Sequence, residues 1–182
     1  MQLSDGEKLI IMMMCDLFKH LKVKSDVDPD FIQQTIWGDH LWGLRWQYSG
    51  IPFSKGETPN EVTETLNAMD MWSIIEQSYE KLSKADKERI KKEAHPFGDH
   101  VHFDGFDGNH ESHGGIARYL IEQLDRFTYF KGRGLNSHMP SVDRYNRMYR
   151  LFEPMRNTLL GSGLLSASLI IDLLNAQRLP NP

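Results

Sequence analysis

Several signatures are missing from this chain, and each absence narrows its reading. There is one cysteine, Cys15, so no internal disulfide can form. It sits in an apolar run, and its simplest role is that of a small core residue. Nine methionines beside a single cysteine suit a reducing compartment. No apolar run approaches the ~20 residues that a membrane helix needs. Leu9–Met14 is short, and Leu159–Ile171 is interrupted by Gly161, Ser162 and Gly163, which fits a buried helix or an oligomer contact better than a membrane span. The N-terminus lacks the basic segment and small-residue cleavage site of a secretory signal. A cytoplasmic protein with no membrane partner is the expectation.

Catalytic signatures are scarce as well. The chain contains no Gly-x-Ser-x-Gly elbow, P-loop, GxGxxG, HExxH or CxxC. Nor does one sign of charge dominate. Lys and Arg number 21 against 25 Asp and Glu, a net charge of -4, which argues against broad nonspecific binding to nucleic acid or to an anionic membrane. A local basic groove stays open, because Lys and Arg concentrate at 81–92 and at 126–156.

No convincing pair of strands is present, whereas most long segments carry the helical period. Ser4 and Glu7 form a capping box, and a helix should follow to about Leu21 with Leu9, Ile10, Met13, Leu17 and Leu21 on one face. Asp28-Pro29 opens a second helix. Trp37, Trp42 and Trp46 crowd the next region and suit core or interface packing. After a loop over Ile51–Pro59, a long helix should run from Asn60 to about Leu82, with Val62, Leu66, Met69, Trp72, Ile75 and Tyr79 as its stripe. Ser83 starts a short charged helix. Asn109 or Asp107 should cap a helix reaching about Phe127, and Ser141 another that Pro154 should kink or break near its end. A last helix, about Gly163–Gln177, closes the chain. The expected fold is all-α, one multihelical domain of about six to seven helices spanning residues 1–182, with polar glycine-rich loops.

Chemistry concentrates between Phe103 and His138. Five of the eight histidines fall between His95 and His113, among Asp99, Asp104, Asp107 and Glu111. Imidazole and carboxylate are the usual ligands of Zn, Mn or Fe. His100 and His102 share a side of an extended stretch, while His110 and His113 share a helix face. A divalent metal held by His100, His102, Asp104 or Asp107 and His110 is therefore permitted, although no cofactor is required. The bland alternative is a polar loop whose carboxylates bond backbone amides. Gly114-Gly115 weakens the following helix by roughly 1 kcal/mol per glycine, a cost that often marks close approach of backbone or ligand.

The second loop presents Arg133, Asn136 and His138, a set suited to phosphate. Histidine there can move a proton near neutral pH. Arg133 and His138 also fit the Arg-x4-6-His spacing of the HEPN ribonucleases, which place it at a helix start. About 25 Å of helix at ~1.5 Å per residue would separate Asp107 from Arg126, so the two loops meet only if residues 131–140 fold back or a second subunit completes the site.

The run Gly105-Phe106-Asp107-Gly108-Asn109 with Glu111 resembles the central motif of the YfbU family. So do Arg126-Phe127 with Phe130, then Leu135-Asn136-Ser137-His138, Pro140, and Tyr145-Asn146-Arg147-Met148. The opening LSDGEKLII and Met71-Trp72 add to the likeness, which covers most of the chain. The resemblance implies a bacterial or archaeal, mainly helical, cytoplasmic protein, and it brings no reaction and no agreed catalytic residues. It places His110 and His113 in a variable part of the motif and shifts weight to Asp107, Glu111, Arg126, Asn136 and His138.

Two classes of function follow. The first to be preferred is a helical binding or regulatory module that oligomerises through apolar helices such as 159–174. In it Asp107 would cap, Asn136 would bond backbone, and Arg126 would pair with Glu111. The alternative is a metal-independent, HEPN-like ribonuclease or other phosphate-directed hydrolase acting on RNA or a nucleotide. His138, Arg133, Asn136 and Glu111 would be its catalytic candidates, and Asp107, Asn109 and Arg126 its substrate-binding ones. A third reading is a metal-dependent hydrolase built on the 100–113 loop.

Overall fold

In the computed structural model, residues 2–54, 56–156 and 163–178 are described. They form eight α-helices and two 3-10 turns, Phe97–Asp99 and Thr128–Phe130. Helix α1, Asp5–Leu21, starts on the expected capping box: Ser4 Oγ accepts from Glu7 N at 3.3 Å, and Glu7 Oε2 accepts from Ser4 N at 2.8 Å. Asp28 caps α2, Pro29–Trp37, and Ser83 caps α5, Lys84–Glu93. Helices α3 (Trp42–Gln47), α4 (Asn60–Lys81), α6 (His113–Glu122), α7 (Val142–Arg156) and α8 (Ala167–Asn175) complete the set. The all-α class is as expected. The one strand-like feature among the described residues is an isolated parallel bridge between Phe106 and Asn136.

Helix α4 is the organising element, packed against α6, α7 and α8. Val62, Met69, Trp72 and Ile75 of its stripe are buried, and so are Thr65, Ala68, Met71 and Ser78 on the flank. A buried arc this wide belongs to a helix covered on several sides. Beside it lies an aromatic cluster. The Phe103 ring is 5.1 Å from Phe130, 5.5 Å from Phe106 and 5.6 Å from Tyr145. These rings are the floor on which both glycine-rich loops rest.

Helix α1 departs from this pattern. It packs on α2, and Cys15 is its buried residue, as anticipated for a small core side chain. Leu9, Ile10, Met13, Met14, Leu17 and Leu21 are nevertheless 47–65% exposed. The apolar face that periodicity identifies is therefore left largely open among the described residues. In the tryptophan cluster, Trp42 and Trp46 pack at 4.8 Å while Trp37 stays exposed.

Three helix boundaries correct the sequence reading. The helix anticipated over 109–127 spans only His113–Glu122, and neither Asp107 nor Asn109 caps it. Beyond its end at Glu122, Asp125 and Phe127 adopt left-handed backbone, φ 51° and 52°, and the helix does not resume. The last helix covers Ala167–Asn175, and Ala167, Ile170, Ile171, Leu173 and Leu174 are buried in the chain's own core, so this segment is not an open oligomer surface. Residues 159–162 of that apolar run, and the tail with Pro180 and Pro182, lie outside the described residues. Among the described residues no helix is long and apolar enough to cross a membrane.

Candidate functional site

The loop after the second 3-10 turn folds back onto residues 105–108, so the two polar loops converge within one chain. Ser137 N donates to Phe106 O at 3.1 Å, and Phe106 N donates to Leu135 O at 3.3 Å. Gly105 makes this crossing feasible. Its φ is +85°, and a Cβ there would lie 2.2 Å from the Leu135 carbonyl. Asn136 ties the crossing from its side chain, its Oδ1 accepting from Gly108 N at 3.1 Å and His138 N at 3.0 Å.

Asp107 and Glu111 lie beneath this crossing. Asp107 is buried, and its Oδ1 accepts from Asn109 N at 3.0 Å while Oδ2 meets His110 Nδ1 at 2.7 Å. The Asn109 amide, and then His110, hold the Asp107 carboxyl below the usual carboxylate range. Glu111 reaches further. Its Oε1 accepts from Ser141 N at 2.7 Å and Val142 N at 2.9 Å, and its Oε2 accepts from Asp107 N at 2.8 Å. The Ser141 hydroxyl lies 2.8 Å from Oε2 and 3.2 Å from Gly105 O. Burial disfavours the Glu111 charge, but these donors outweigh it and hold the carboxyl below its ordinary range. Glu111, rather than Ser141, thus supplies the anion at the start of α7. The anticipated pair of Arg126 with Glu111 does not form, because the Arg126 guanidinium stacks over Trp46 at 4.7 Å.

Arg133 faces a partner that the sequence reading missed, Glu76 on α4. Arg133 Nη1 donates to Glu76 Oε2 at 2.7 Å; Phe103 N and His102 Nδ1 lie 2.6 and 3.1 Å from Oε1. The guanidinium stacks over Tyr129 at 4.6 Å and Phe130 at 5.1 Å. Tyr129 donates to Glu80 at 3.1 Å, and burial pushes its phenol up to about 12. One sequence signal was available. Glu76 lies one helical turn beyond Trp72, on the buried arc of α4, where a carboxylate needs cationic or amide partners.

Each histidine of the 95–113 segment pairs with a different carboxylate. His95 meets Asp99 at 2.9 Å, His100 meets Asp104 at 3.7 Å, and His102 meets Glu76 at 3.1 Å. His110 meets Asp107 at 2.7 Å, and His113 meets Glu64 at 2.9 Å. One-to-one pairing disperses the donors. His100, His102 and Asp104 border one cavity while His110 belongs to the loop crossing, and among the described residues no three His, Cys, Asp or Glu side chains gather around a common point suited to a metal.

A cleft of about 400 Å³ opens beside α6, bordered by Gly114, Gly115, Arg118, Arg133, Gly134 and Asn136 among others. A Cβ on Gly115 would meet nothing within 4 Å, so close backbone approach does not account for that glycine. His138 is not part of this lining. It is exposed, with φ +54° and no side-chain hydrogen bond among the described residues. Arg133 and His138 therefore sit on an irregular loop between a 3-10 turn and α7, and not at a helix start.

Fold and loop crossing together define a multihelical all-α protein whose polar motif is bonded mainly to its own backbone. The chain belongs to the YfbU family: the YfbU domain matches residues 1–176. It is similar to the UPF0304 protein MJECS11 of Methanocaldococcus jannaschii, 28% identical over 184 residues, which covers 96% of this chain and 99% of that one. No solved structure matches it.

Proposed function

We propose that the chain is a non-catalytic helical binding module that works as a homodimer joined through α1. One observation carries this reading: the exposed apolar face of α1, which runs from Leu9 to Leu21 along the whole helix. Contiguous apolar surface rimmed by charge marks an interaction site in a water-soluble fold. Its occupant is argued from charge. Asp5 and Glu7 open the helix, while Lys22 and Lys24 follow its other end; Lys19 is paired with Asp30 of the same chain at 2.8 Å and stands apart from this pattern. Lys8 and Asp16 lie between. Two copies arranged antiparallel about a two-fold axis would set the acidic end of each beside the basic end of the other. Met13 and Met14 would fall near that axis, where flexible thioethers accommodate an imperfect fit.

The polar motif is consistent with a structural role. Asp107, Glu111 and Asn136 hold loop backbone, and Arg133 is engaged by Glu76. A phosphate-directed reaction by Arg133 and His138 has less support, since only the first of them borders the cleft.

The test is the mass in solution by size exclusion with light scattering. Wild type should run at twice the chain mass. Met13→Glu, which sets two carboxylates against each other across the axis, should run at the chain mass with an unchanged helical circular dichroism spectrum. A monomeric wild type, or a variant that stays dimeric, overturns the proposal.

A further inference from the structure

Away from the loop crossing, a cavity of about 200 Å³ lies between α4, α7 and the 3-10 turn Phe97–Asp99, bordered by Trp72, Phe97, His100, His102, Asp104 and Arg144 among others. Two of these residues carry a buried donor with no acceptor in the protein: Trp72 Nε1 and Arg144 Nε. Trp72 itself is only 2% exposed. Buried N–H groups are almost always paired, and these two, among four buried side-chain atoms without a partner in the described residues, belong to residues that border one cavity. Both are donors, and the group that would satisfy them is an acceptor.

Charge selects the kind of acceptor. Arg144 brings a permanent cation, and the His100 and His102 rings stand 5.2 Å apart at the same cavity. Asp104 is the carboxylate of the lining. It lies 3.6 Å from Arg144 Nη2 and 3.7 Å from His100 Nε2, and Glu76 stands behind His102 at 3.1 Å. Arg144 Nη2 also reaches the Tyr145 hydroxyl at 3.4 Å. Asp104 thus meets the guanidinium at Nη2 and leaves Nε without a partner. A fixed guanidinium makes this a poor cation site and a suitable anion site. With a water's share of liquid volume at about 30 Å³, the space suits a group of a few heavy atoms. We infer that this cavity is a binding site for a small oxyanion, a carboxylate or phosphate group, whose oxygens accept from Trp72 Nε1 and Arg144 Nε.

The four tryptophans provide the readout. The full-length ¹⁵N-labelled protein is titrated with sodium acetate and, separately, with sodium phosphate, at constant ionic strength set by sodium chloride. Acetamide serves as a neutral analogue of acetate. Trp72→Phe identifies the Trp72 indole N–H signal by its loss. That signal alone should move downfield along a saturable curve with acetate or phosphate, and should stay in place with chloride and acetamide. Whichever anion saturates it identifies the chemistry. Arg144→Gln should weaken the apparent affinity roughly tenfold, the effect of one charge-assisted hydrogen bond. Arg144→Lys keeps the charge but lacks the Nε donor, should weaken it several-fold, and serves if Arg144→Gln fails to fold. A Trp72 signal that does not respond to either anion, or that responds equally in a folded Arg144 variant, overturns the site.

Discussion

Helix α1 and the loop crossing of residues 105–141 are opposites in composition and in the way they are completed. In the crossing, polar groups from buried Asp107 to exposed Asn136 meet their partners within the chain: Asp107 with Asn109 and His110, Glu111 with Ser141 and Val142, Asn136 with Gly108 and His138. In α1, six apolar side chains stay about half or more exposed among the described residues. The residue types that look chemical are bound up in structure, and those that look like core form the surface. Residue type alone does not assign a role; the identity of the partner, and whether it lies in the same chain, does.

This contrast can be tested from its strongest point downward. Gly105→Ala should have the largest effect. A side chain there combines a left-handed backbone with overlap on Leu135, and about 3 kcal/mol or more of stability should be lost in urea unfolding. A loss under ~0.5 kcal/mol would mean that the crossing is not rigid and that the polar residues are free for other work.

Glu111→Gln should cost less, about 2 kcal/mol at neutral pH, from weakened charge-assisted bonds to the start of α7. The pH dependence gives the sign. Glu111 titrates below its ordinary 4.5 in the folded protein, so its stabilisation is full above that value and fades as the pH falls through the folded pKa. The stability gap between wild type and Glu111→Gln should therefore narrow on acidification below about pH 4.5. A gap that is constant from pH 7 to pH 3 would show that the carboxylate's charge contributes nothing.

The smallest change is expected from His138→Ala. Its side chain is exposed and makes no hydrogen bond among the described residues, so stability should move by less than ~0.5 kcal/mol. If purified wild type cleaves RNA and this variant does not, the loop crossing is a catalytic site and the contrast with α1 collapses.

Local signals were legible in the sequence, and long-range ones were not. The Ser4–Glu7 box, the Asp28-Pro29 start and the extent of α4 depend on neighbours within a turn, and all three stand in the structure. Asp107 and Asn109 mislead because an Asx residue before a helical pattern reads the same whether it caps that helix or bonds its own turn. The place of Glu76 on the buried arc of α4 signals the need for a partner, but not that the partner is Arg133, 57 positions away. Periodicity shows that one side of α1 is apolar, but not which molecule covers it. The histidine-rich segment is similar: spacing permits a shared ligand set, whereas the fold assigns each imidazole its own carboxylate.

The cap of α7 also ties a local element to a distant one. Helices usually find their start signal within a turn, which lets them nucleate locally. Here the signal arrives from Glu111, 30 positions upstream of Ser141. These bonds to the first turn of α7 can form only once the intervening loop has closed, so this helix terminus depends on loop-closure entropy as well as on its own first-turn Asp143.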